Sequence, residues 1–127
     1  MIKFFTLIVI MVSFLHFTSC KKKKEKCDLP DTVSYKNDVQ PIFNENCTTS
    51  GCHSGTNPKG NLNLVSSVSY QQLSNSQSGY INTTNPSSSL LYSSMKSLNN
   101  PMPPNGVLEQ CKLDLILKWI EQGAQNN

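Results

Sequence analysis

Cys47-Thr48-Thr49-Ser50-Gly51-Cys52-His53 is the stretch on which the reading of this chain turns. Two thiols followed at once by an imidazole form the arrangement that covalent haem attachment requires. Each cysteine adds across a haem vinyl group to give a thioether, and the adjoining histidine becomes an axial iron ligand. The familiar spacing leaves two residues between the cysteines, whereas four stand here. The insert is small and flexible, and Gly51 tolerates the tight backbone needed to bring the thiols together. A local disulfide or an incomplete zinc site draws on the same residue types.

Downstream, Asn100-Pro101-Met102-Pro103-Pro104-Asn105-Gly106 sets three prolines around one methionine. Prolines fix φ and exclude helix, so the loop is expected to be rigid and to hold the thioether in a set direction. A sulfur held this way suits the sixth position of haem iron; a proline-rich surface turn is the plainer alternative. The chain has two histidines, and His16 falls in the leader described below, which leaves His53 alone in the mature protein. One histidine cannot build a bis-histidine haem or a histidine-rich zinc site. Met102 is then the natural partner of His53, while Met95, at helical spacing from Leu91, reads as core.

The elements around these motifs read as helices and loops. Residues 35–46 form a short helix delivering Cys47, capped by Asn37 or Asp38, with Pro41 in its first turn and Val39, Ile42 and Phe43 as the apolar face. A helical turn is expected at 69–74. Asn85-Pro86 starts a second short helix with Leu90, Leu91 and Met95 inward. Residues 108–122 form the strongest helix, with Leu108, Leu115, Ile116, Trp119 and Ile120 as its stripe and Gly123 as its stop. Trp119 is expected against Phe43. Between these, residues 54–100 are rich in Ser, Asn, Gly and Gln and show no strand alternation. Such a chain builds only a thin core, which a large flat apolar group would repair.

The amino terminus reads as an export signal. Lys3 is followed by an apolar run from Phe4 to Phe17, too short for a comfortable membrane span. The run ends at Phe17-Thr18-Ser19-Cys20, a pattern that resembles the bacterial lipoprotein signal, with Cys20 acylated after removal of residues 1–19. Residues 20–32 then form a tether in which five lysines stand against Glu25 between Lys21 and Lys26. Beside a lipid, such a run lies against anionic headgroups at about 1 kcal/mol per lysine. Residues 27–127 carry five lysines, no arginine and seven carboxylates, so no basic face remains for nucleic acid. Cys27 and Cys111 are left over and invite a disulfide in an oxidising compartment, closing a loop of about 85 residues, worth ~4 kcal/mol in the chain-entropy treatment; two free buried thiols are the alternative.

In this order the motifs resemble the small bacterial cytochrome c-like domains related to the planctomycete-type cytochrome c family. The likeness is carried by Val39–Cys47, Cys47–His53, Pro86–Leu90, Met102–Pro104 and Trp119–Ala124, and spans about residues 33–125. The Cys-x4-Cys gap departs from the family pattern, as does Glu109 where a Ser or Thr helix cap is usual. The resemblance implies an all-α cytochrome c-like fold over residues 33–127 around one covalent haem c. Cys47 and Cys52 would be the attachment sites, with His53 and Met102 as iron ligands. The function so implied is a monomeric, membrane-tethered one-electron carrier facing the periplasm or cell surface, anchored through Cys20, serving a redox partner protein and performing no catalysis. A haem sensor, a ligand-binding or peroxidase-like domain, and a non-haem surface lipoprotein with structural disulfides are the competing readings.

Overall fold

The computed structural model describes residues 26–127, so the leader, Cys20 and most of the lysine run lie outside the described residues. The architecture is all-α. A π-helical turn, Tyr35–Val39, runs into α1 (Gln40–Asn46), followed by α2 (Ser69–Leu73), α3 (Leu90–Lys96) and α4 (Gln110–Glu121). Single 3-10 turns at Lys59–Asn61 and Pro86–Ser88 punctuate the loops, and no β-strand occurs among the described residues. No helix among them is long and apolar enough to cross a membrane.

The first helical segment starts earlier than the sequence suggested. Ser34, not Asn37 or Asp38, is the cap: its hydroxyl accepts the Asn37 N–H at 3.2 Å. Asp38 instead turns back to accept the Ser34 N–H at 2.7 Å, so two side chains share the capping, Ser34 toward Asn37 and Asp38 toward Ser34. The wider π turn ends where α1 begins, which keeps Pro41 in the first turn of the α-helix, where its missing N–H costs no bond.

Packing is organised by α4. Leu113, Ile116, Trp119 and Ile120 point inward, each no more than 2 % exposed. Leu113 therefore takes the place the sequence reading gave to Leu115, which is only partly buried, and Leu108 is buried while lying before the helix. Aromatic packing between the terminal segments runs through Tyr35. Its ring lies 5.0 Å from Trp119, 6.4 Å from Phe43 and 5.1 Å edge-on to Tyr70. Tyr35, which no apolar periodicity marks, is 3 % exposed, and burial pushes its phenol up to about 12. In α3 the inward set is Leu91, Tyr92 and Met95, whereas Leu90 is 47 % exposed.

The two ends of the domain are sewn together. Gln122 accepts the Val33 N–H at 2.9 Å and donates to the Asp31 carbonyl at 2.6 Å. The Asn127 side chain accepts the Tyr35 N–H at 2.8 Å, and its backbone carbonyl accepts the Lys36 N–H at 3.0 Å. In the structure Cys27 and Cys111 are bonded, with Cα atoms 5.3 Å apart, at the start of α4. Lys112 and Glu45 form an ion pair at 2.8 Å between α4 and α1, exposed enough to contribute little.

Helix α4 stops at Gly123. The Ala124 N–H reaches back to the Trp119 carbonyl at 2.9 Å and the Gly123 N–H to Ile120 at 3.0 Å, a Schellman arrangement with Gly123 at φ +91°. A Cβ there would be strained and would meet the Gln125 amide at 3.1 Å. Gly123→Ala is expected to lower stability by about 1–2 kcal/mol, measured by denaturant unfolding, because only glycine enters this region without penalty.

Candidate functional site

Helix α1 ends at Cys47, whose N–H caps the helix by bonding to the Phe43 carbonyl at 2.8 Å. The chain then makes the turn that the four-residue insert requires. Cys52 N–H bonds to Thr49 O at 3.0 Å, His53 N–H returns to Cys47 O at 3.0 Å, and Gly51 sits at φ +77°. That last bond closes the loop and brings the histidine back beside the helix end. Neither Cys47 nor Cys52 is in a disulfide, and both are partly buried. Thr49 donates its hydroxyl to the Cys52 sulfur at 3.2 Å.

His53 is held against an extended segment, residues 62–64. Its backbone carbonyl accepts the Leu64 N–H at 2.8 Å, and its Nδ1 lies 3.1 Å from the Leu62 carbonyl. A carbonyl can only accept, so this contact calls for a proton on Nδ1 and leaves Nε2 with its lone pair. That is the tautomer a metal ligand needs, fixed in the way metal-bound imidazoles are usually fixed. Leu62 could not be found in the sequence as a partner, because it acts through its main chain.

Cys47, Cys52, His53 and Met102 all border one cleft. Its volume is about 220 Å³, a little below the ~300–1,000 Å³ usual for ligand and cofactor sites, and it opens to solvent on one side. The walls are mostly apolar, from Leu62, Leu64, Tyr80, Leu91 and Pro103 among others. Lys59 is the single charged residue on the lining. Met102 reaches the cleft on a loop tied to α3 by its N–H, which bonds to the Ser94 carbonyl at 3.1 Å. Met95 is 3 % exposed, as a core residue should be, but it is also part of the cleft wall, a second role the helical spacing did not reveal. Tyr80, too, lines the cleft, and no pattern in the Ser/Asn-rich middle singles it out.

These residues fit haem by donor chemistry. They comprise two thiols, an imidazole nitrogen with a free lone pair, and a thioether, all on one apolar slot. Among the described residues no group of three or more His, Cys, Asp or Glu is placed to hold a bare metal ion. Comparison with family models, with curated proteins and with solved structures finds no match.

Burial also sets the reactivity of the Cys47 thiol before any attachment. The Cys47 thiol is pushed up to about 11 from its ordinary 9.0, first by burial and then by the neighbouring Cys52. A raised thiol favours the protonated, folded form. Its contribution to stability is therefore complete below pH 9 and is lost as pH rises through about 11. At pH 8 alkylation of Cys47 in the folded, haem-free chain should be roughly 100-fold slower than in the denatured chain, in proportion to its thiolate fraction. Peptide-resolved mass spectrometry measures both rates, and equal rates would contradict the buried placement.

Proposed function

We propose that this chain is a membrane-tethered, single-haem c-type cytochrome that carries one electron at a time on the outer side of the cytoplasmic membrane, within a cytochrome c-like fold. The observation that carries the reading is the convergence of Cys47, Cys52, His53 and Met102, drawn from segments some fifty residues apart, on one apolar cleft. Cys47 and Cys52 would hold the porphyrin by thioethers, and His53 Nε2 and the Met102 sulfur would ligate its iron. Bound in this way, haem supplies reversible one-electron exchange between Fe(II) and Fe(III), with Met/His ligation raising the potential.

The chain's own residues serve that exchange by holding still. The Leu62 carbonyl fixes the imidazole, the Ser94 carbonyl fixes the Met102 loop, and the leucines of the wall give the site an apolar lining. Iron held by both side chains would leave no position for substrate, which favours a carrier over an enzyme. Leu98 and Val107, 92 % and 57 % exposed, flank Met102 in the sequence. The lipid on Cys20 and the lysines after it would keep the domain at the membrane.

Expression of the full chain in a bacterial host competent for haem attachment should give coloured protein whose denatured mass includes one haem per chain. Cys47→Ser combined with Cys52→Ser should abolish that addition. Met102→Ala should lower the midpoint potential and lose the low-spin spectrum, while Met95→Ala should keep the axial-ligand signature. Colourless wild-type protein from such a host would overturn the proposal, and loss of the signature in Met95→Ala alone would move the ligand to the other sulfur.

A further inference from the structure

Gln40 is 5 % exposed, and each polar atom of its side chain is engaged. Its amide nitrogen donates to the Leu64 carbonyl at 2.9 Å and to Asn44 Oδ1 at 2.8 Å, and its oxygen accepts from the Ser69 hydroxyl. Ser69, itself fully buried, accepts in turn from the Tyr35 phenol at 2.7 Å. A buried amide is costly unless bonded, and an apolar side chain would serve the packing of α1 equally well. What the amide adds is a link between α1 and the 62–64 segment.

That link joins the two halves of the candidate site. Helix α1 carries Cys47 at its far end. The 62–64 segment grips His53 twice, through the Leu64 N–H and the Leu62 carbonyl. Leu64 thus accepts from Gln40 on one side and donates to His53 on the other. We infer that Gln40 is a positioning residue for His53: through Leu64 it fixes the imidazole-bearing ribbon relative to the helix that presents Cys47. The inference rests on the haem reading for its meaning, although the coupling itself concerns only the chain.

Amide hydrogen exchange on the purified full chain, in whatever form the host delivers it, tests the coupling. Gln40→Met keeps side-chain length but loses both donors and the acceptor. It should reduce protection of the Leu64 amide at least tenfold more than that of the Ile120 amide in α4, which reports global opening. Tyr35→Phe trims the far end of the chain and should lower both amides by the same factor. Gln40→Glu keeps the acceptor for Ser69 and should fall between, and it carries the comparison should Gln40→Met not fold. In haem-loaded protein a looser Nδ1–H contact makes the imidazole less basic, so Gln40→Met should favour the reduced form by on the order of threefold, ~30 mV at about 59 mV per decade. Equal losses at Leu64 and Ile120 in both Gln40 variants, with haem attached, would overturn the role given to Gln40 alone. A Leu64-specific loss in a chain that takes up no haem would instead defeat the haem reading, and with it the positioning role.

Discussion

Two hydrogen bonds hold His53 to the segment at 62–64, one from Leu64 to its backbone and one from its ring to Leu62. The rest of the site is arranged around that grip. An imidazole ring rotates freely about its side-chain bonds unless something arrests it, and the arrest here costs no side chain, because both partners are backbone groups. The same bonds that orient the ring also satisfy groups that would otherwise be stranded at the inner wall of an apolar cleft. Orientation of the candidate ligand and satisfaction of the buried main chain are one event.

The domain can maintain such a cleft because one continuous core backs it, with Leu62, Leu64, Leu91 and Met95 belonging to both. Trp119, Phe43 and Tyr35 pack where the first helical segment meets α4, and residues 31–36 are bonded to residues 122 and 127. The Cys27–Cys111 link adds a covalent tie at the start of α4. The Ser/Asn-rich middle wraps the slot and adds Leu62, Leu64, Leu73, Leu91, Tyr92 and Met95 to the same buried core. Its loops do this through short-range bonds, such as Asn82 accepting from Thr84 and Asn85, or Ser89 accepting from Asn82. Their polar composition is what such turns require.

Periodicity was enough to read the helices, since three of them carry apolar faces that only a helix can bury together. Their edges were read less well. Ser34 caps the first segment because a π turn, which leaves no sequence signature, places the Asn37 N–H within its reach. Leu113 displaced Leu115 from the core because the partner of α4 is the turn at 35–39 together with α3, and the angle of that contact is not written in any one helix. Tyr35 was missed for a similar reason. A tyrosine at the start of a helix reads as surface until Ser69, thirty-four residues later, offers its hydroxyl.

The sequence by itself determined the all-α character and the Gly123 stop, and it singled out Cys47, Cys52, His53 and Met102, because each rests on local spacing or on residue chemistry. Only the tertiary structure decided that those four border a single cleft, that Met95 and Tyr80 share its wall, and that Gln40 is coupled to His53 through Leu64. The physical reason is that these relations are distances between segments far apart along the chain, some made by backbone atoms that every residue possesses. Residue identity encodes which groups can bond, and the packing of α4 against the first helical segment selects which of them meet.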